Sequence, residues 1–206
     1  MQLNRPLATI TPTLDGDVLA VLAQHEAAFT AGQLHRILDR YSEEGIRKVL
    51  LRLARQGIVQ SSKIGAAHAY QLNREHIAAG PIIQLAHLAQ VLFLQIENYL
   101  ADWDPGPQYA AIFGSAARGT MREDSDIDLL LVRPDNSAID VWDAQVSSLI
   151  SDVGRWTGND VRPLEYTISE LLAAHNEPVV REVMRDGLTV AGRRAWLVQQ
   201  LRGGGG

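Results

Sequence analysis

Apolar residues recur at helical spacing near the start of the chain and in short strand-like runs through its middle. Asp15 to Gln24 gathers Val18, Leu19, Val21 and Leu22 along a first helix. Thr30-Ala-Gly-Gln33 is a capping box, in which hydroxyl and amide each satisfy a backbone N–H, and it opens a second helix through Leu38. Ser42 caps a third, with Glu43 and Glu44 in the first turn, where negative charge suits the helix dipole. Ile46, Val49, Leu50 and Leu53 form its buried stripe, and Gly57 stops it. Ile58 to Gly65 and Ala69 to Leu72 then read as two strands joined by a small-residue turn.

After a junction at 76–81, Pro81 suits the first turn of a long helix with the stripe Leu85, Leu88, Leu92, Ile96 and Tyr99. Gln84, His87, Gln90, Gln95 and Glu97 interrupt it too often for a membrane span, and His87 reads as structural. Tyr109 to Phe113 is a short buried strand ended by Gly114, and Ser115 to Thr120 forms a tight turn and short helix. Ile127 to Val132 is a second strand, closed by Arg133-Pro134. The helix from Ser137 to Trp156 turns Trp142 and Trp156 inward and stops at Gly158-Asn159. In the strand from Asp160 to Tyr166, Pro163 argues for an irregular or edge position. Thr167–Ala174 and Pro178–Arg185 follow as short helices, and Leu188–Ala191 as a final edge strand. Residues 193–206 read as a tail with a flexible glycine end.

Composition narrows this picture. The chain has 206 residues, 46% hydrophobic, which fits one or two cores. With no cysteine, disulfides and thiolate metal sites are excluded. No secretion signal opens the sequence and no apolar run is long enough to span a bilayer, so a cytoplasmic protein is expected. The net charge of −5 is unevenly divided: residues 1–75 hold nine Lys/Arg against seven Asp/Glu, and 36–74 alone hold eight against three.

Chemistry concentrates in Gly114-Ser115-Ala-Ala-Arg118-Gly119 and Ser125-Asp126-Ile127-Asp128. Phosphates bind backbone N–H groups at a helix start, where glycine permits close approach. Divalent metals take oxygen ligands, and residues two apart on a strand share a face. Asp126 and Asp128 stand so at the start of a strand whose Ile127 and Leu129 face the other way.

This arrangement resembles the signature of minimal nucleotidyltransferases of the DNA polymerase beta-like superfamily, over about residues 82 to 192. The resemblance implies that Gly114, Ser115, Arg118 and Ser125 hold a nucleoside triphosphate. It also implies that Asp126 and Asp128 bind two Mg²⁺ (or Mn²⁺) ions and catalyse transfer of a nucleoside monophosphate, with pyrophosphate leaving. Related enzymes of toxin–antitoxin pairs modify a partner protein, so a protein or RNA acceptor is expected. The family adds a third carboxylate on the next strand; this chain has Arg162 there. Asp160 and Glu165 are nearby alternatives of opposite strand parity, so at most one faces the site.

Three helices followed by a hairpin resemble a winged helix-turn-helix domain of bacterial transcription regulators. The resemblance implies double-stranded DNA as a partner, with the third helix in the major groove. Ser42, Arg47, Lys48, Arg52 and Arg55 would face DNA from that helix, and Lys63 and His68 from the wing. Regulators of this type pair as homodimers. The expected fold is α+β: a winged helix-turn-helix over 1–75, then a nucleotidyltransferase-fold α/β domain with a small mixed sheet over 82–192. Two functions follow: a DNA-binding nucleotidyltransferase, or a transcription regulator whose second domain only senses nucleotide.

Overall fold

A computed structural model describes residues 1–203, which fall into two compact units, one of residues 5–89 and the other of residues 1–4 and 90 onward. In the first, a 3-10 turn (Pro6–Thr9) precedes α1 (Leu14–Gln24), β1 (Phe29–Thr30), α2 (Ala31–Ile37), α3 (Glu43–Arg55), β2 (Val59–Ile64), β3 (Ala67–Leu72) and α4 (Ala79–Ala86). α2 and α3 begin where side chains satisfy free N–H groups. The Thr30 hydroxyl accepts from the Gln33 N–H while the Gln33 amide oxygen accepts from the Thr30 N–H. Ser42 accepts likewise from the Gly45 N–H. Val18, Leu22, Leu34, Ile46, Leu50, Val59 and Leu72 form one core. The strands lie in the order β1-β3-β2, all antiparallel. β1 was not expected: at two residues it is too short to show alternation.

One charged group is buried in this unit. Asp17 of α1 is only 6% exposed and is reached by Arg5 at 2.9 Å, Arg40 at 2.7 Å and the Tyr41 hydroxyl at 2.6 Å. These contacts join the segment before α1 to the α2–α3 connection.

The single long helix expected from Pro81 is two. α4 ends at Ala86, and α5 (Leu88–Ala101) starts after His87, whose Nδ1 lies 2.7 Å from the Ile83 carbonyl oxygen. The side chain competes with the backbone for that carbonyl. Ala79 and Ala86 lie in the first core, so the junction expected at 76–81 falls inside this unit.

The second unit continues from α5 through β4 (Tyr109–Phe113), α6 (Gly114–Arg118), β5 (Ile127–Arg133), α7 (Ile139–Thr157), β6 (Val161–Thr167), α8 (Ile168–Ala173), α9 (Pro178–Asp186), β7 (Leu188–Gly192) and α10 (Arg194–Gly203). The sheet order is β6-β5-β4-β7, with β5 and β6 parallel and the other pairs antiparallel. β6 is an edge strand, where Pro163 leaves no central ladder bond unmade. α7 forms the crossover between the parallel pair and ends at Gly158, in the left-handed conformation at φ 72°.

Alternation divides the sheet's residues between two covered faces. Tyr109, Ala111, Phe113, Leu130 and Val132 pack with Leu171, Val180, Val183, Leu197 and Leu201. Ile112, Ile127, Leu129 and Leu131 point the other way and are also buried. The tail expected over 193–206 is instead α10, because Leu197 and Leu201 have a core to enter. The glycine end expected beyond it, residues 204–206, lies outside the described residues. Among the described residues no single helix is long and apolar enough to cross a membrane.

Candidate functional site

β4 runs straight into α6 through Gly114, whose φ is +67°. A Cβ on that residue would overlap Asp128 Oδ2, so the position excludes a side chain on two grounds. Antiparallel pairing of β4 with β5 sets Phe113 opposite Asp128 and brings the carboxylate to the glycine. Burial, followed by the charge of Asp126, pushes the Asp128 carboxyl above the ordinary carboxylate range; Arg162 and Arg118 pull it back less. Asp126 stands one residue before β5 and is 23% exposed.

The register of β5 with β6 decides which groups join these aspartates. Asp128 pairs with Arg162, and in-register residues of parallel strands share a face. The Arg162 guanidinium lies 2.7 Å from Asp126 Oδ2, with 72% of its side chain exposed. Glu165 pairs with Leu131 on the opposite face, where it accepts a hydrogen bond of 2.6 Å from Trp142 Nε1. Of the two alternatives, Glu165 is therefore turned away from the aspartates, since strand parity sends it to α7. Asp160 precedes β6 and is exposed; its carbonyl oxygen accepts from the Ile127 N–H, and by alternation its side chain shares the face of Arg162.

Other expected site residues take mixed positions. Ser115 is half-buried at the second residue of α6. Arg118 closes that helix and forms an ion pair with Glu182 of α9, a partner that no local motif could have disclosed. The Ser125 hydroxyl accepts from the Arg122 N–H within the turn before β5. The Ser125 carbonyl accepts from Asn159 Nδ2, so a residue read only as a helix stop also holds the loop that carries Asp126.

Asp126 and Asp128 suit one divalent cation, since Mg²⁺ is often held by one or two carboxylates with phosphate and water completing its shell. Among the described residues no group of three His, Cys, Asp or Glu side chains is gathered for a metal.

In the first unit, Ser42, Arg47, Lys48, Arg52 and Arg55 are all exposed on or beside α3. Ser42 is occupied as the N-cap. Arg47 pairs with Glu43 at 3.1 Å and Lys48 with Glu44 at 3.8 Å, both one helical turn apart, while Arg52 pairs with Asp15 of α1. Lys63 and His68 face each other across the β2–β3 hairpin, both exposed.

A mixed sheet with a glycine-seated aspartate at the start of β5 defines the class of site. Residues 95–186 match the family model described as a nucleotidyltransferase domain, a span that contains Gly114, Asp126, Asp128 and Arg162. No curated protein matches the chain. Among solved structures, a chain from a toxin–antitoxin with AMP-PNP is 20% identical, with 54% of this chain and 82% of that one covered at a TM-score of 0.41. A chain of a toxin–antitoxin MntA–HepT is 19% identical, with 56% and 82% covered at a TM-score of 0.37. A tri-AMPylated Shewanella oneidensis HEPN toxin in complex with an MNT antitoxin gives 17% identity, 56% and 82% coverage and a TM-score of 0.38.

Proposed function

We propose that residues 82–192 transfer a nucleoside monophosphate from an NTP to an acceptor, with Mg²⁺ or Mn²⁺ held by Asp126 and Asp128. The observation that carries this reading is the seat of Asp128 on Gly114, with Asp126 two residues earlier. No side chain caps the start of α6, where backbone N–H groups can receive a phosphate, and by alternation Asp126 and Asp128 lie on one face. In the transfer, an acceptor oxygen bonds to the α-phosphorus and the bond from that phosphorus to the β-phosphate breaks. Pyrophosphate leaves, and the acceptor's proton passes to solvent. When bound, the metal supplies neutralisation of charge on the phosphoryl oxygens. The acceptor is a protein or an RNA.

Nucleoside triphosphates carrying α-³²P, incubated with the protein, Mg²⁺ or Mn²⁺ and cell extract, test this directly. Label should appear on a macromolecule and fall by about a hundredfold or more in the Asp126→Ala/Asp128→Ala double variant. Nucleotide binding without any transferred label supports a second reading, a nucleotide sensor. The Arg162–Asp126 ion pair is the observation that favours it, since it places a positive charge on a carboxylate meant for metal.

For the first unit the supported reading is a winged helix-turn-helix that binds double-stranded DNA through α3 and the β2–β3 wing. The exposed basic row on α3 carries it. The ion pairs on α3 between residues one turn apart are worth only about 0.3–0.5 kcal/mol each and yield to a phosphate. An Arg47→Ala/Arg52→Ala protein should shift DNA more weakly in a gel. Its slope of log affinity against log salt should be shallower by about two. Unchanged retention removes α3 as the contacting helix.

A further inference from the structure

The geometry points to Arg162 as a fixed counter-cation of the nucleotide site, so that the site takes an NTP together with one divalent ion and not two. This rests on the nucleotide reading above and adds a metal count and a phosphate contact to it.

Arg162 stands opposite Asp128 on the neighbouring parallel strand and on the same face, and its guanidinium reaches Asp126 at 2.7 Å. One residue therefore touches one aspartate and flanks the other. A guanidinium has five N–H donors in a rigid fork, more than a single carboxylate can use, and the Arg162 side chain is 72% exposed. Donors remain for a phosphate arriving from solvent. The other basic residue of the motif, Arg118, is paired with Glu182.

Charge and ligand counts agree. Asp160 shares this face but is not gathered with Asp126 and Asp128 into a three-carboxylate group among the described residues. Among the three groups in contact, Asp126 and Asp128 bring two negative charges and Arg162 one positive charge, leaving a single negative excess. One divalent ion turns that excess into a net positive site, which suits a polyanionic triphosphate. Two ions would have to share two carboxylates, one of them already engaged by an arginine. Metal pairs that clamp phosphoryl transfer lie about 3.5–4 Å apart and need ligands for both ions. Arg162 supplies the second positive charge without ligands.

An exposed ion pair could instead be an incidental surface contact of little energy. The two differ in what they do to nucleotide and metal. Mn²⁺ bound per protein should be counted by electron paramagnetic resonance with a non-hydrolysable ATP analogue, for wild type, Arg162→Ala and Arg162→Asp. Affinity for the same analogue should be measured by calorimetry in EDTA, and thermal melting should confirm that each variant is folded. The wild type is expected to bind one Mn²⁺ per nucleotide. Arg162→Ala should weaken metal-free nucleotide binding about tenfold, the loss of one charged hydrogen-bonding partner. Arg162→Asp, which adds a carboxylate on the same face, should bind two Mn²⁺.

Two Mn²⁺ on the wild type, or unchanged metal-free affinity in Arg162→Ala, would overturn the assignment while leaving the nucleotide reading in place. Failure of the wild type to bind the analogue under any condition would overturn both.

Discussion

Each unit holds an acidic centre, and the two are built to opposite ends. Asp17 is nearly inaccessible, yet two arginines and a tyrosine hydroxyl converge on it. Those hydrogen bonds and charges outweigh desolvation and hold its carboxyl below the ordinary range. Asp128 is more open but sits against Gly114 with Asp126 close by, and burial and like charge push its carboxyl up. The same residue type is a joint where cations are in excess and, on the function proposed above, a binding site where anions are. What separates them is whether the fold completes the charge or leaves it uncompensated.

The sharpest way to break that comparison is to remove each carboxylate in turn. Asp17→Ala removes the buried carboxylate on which Arg5 and Arg40 converge and should cost about 3 kcal/mol in urea unfolding. That is the low end for breaking a buried pair, because Arg40 reaches solvent. Asp128→Asn removes a charge the fold does not satisfy and should raise stability by up to about 1 kcal/mol while abolishing label transfer. Comparable destabilisation by both variants would show that Asp128 is a structural acid like Asp17.

What was legible in the residues follows the range of the interactions involved. Thr30 with Gln33, Ser42 with Gly45 and Pro163 at a sheet edge are local signals, and each appears where spacing places it. The buried stripe of α3 is equally local. β1 and the break at His87 were hidden because one is two residues long and the other depends on a single side chain meeting a carbonyl. α10 was hidden behind its terminal glycines, since only the core around Leu197 and Leu201 makes that segment a helix. At the site, Gly114, Asp126 and Asp128 lie within one motif and could be read together. The resemblance put Arg162 beside them, but whether Asp160 or Glu165 shares their face depends on the parity of β6 against β5. The direction of that parity is a property of pairing across a crossover, which sequence spacing does not contain.

A second, smaller test concerns the seat itself. Gly114→Ala must hold a side chain at φ +67°, at a cost of roughly 1–2 kcal/mol, and must also displace the Asp128 carboxylate. Nucleotide affinity measured by calorimetry should therefore fall even under conditions where the variant remains folded. Wild-type affinity in a folded Gly114→Ala protein would detach Asp128 from the site.

The smallest effect, and the one that sees both centres at once, is the pH dependence of stability. The native carboxyl of Asp17 is depressed, so its contribution is complete above the unfolded value of about 3.9 and is lost as pH falls through the lower native value. The native carboxyl of Asp128 is raised, so the folded protein binds its proton first as pH falls, and the penalty of its charge fades before pH reaches about 3.9. Urea midpoints taken downward from pH 7 should show the gap between wild type and Asp17→Asn holding to about pH 3.9 and shrinking only below it. The opposite gap, between wild type and Asp128→Asn, should shrink at higher pH, before about pH 3.9 is reached. Gaps that close in the same interval would mean that the two aspartates feel the same environment, and the contrast between a completed and an open acidic centre would fail.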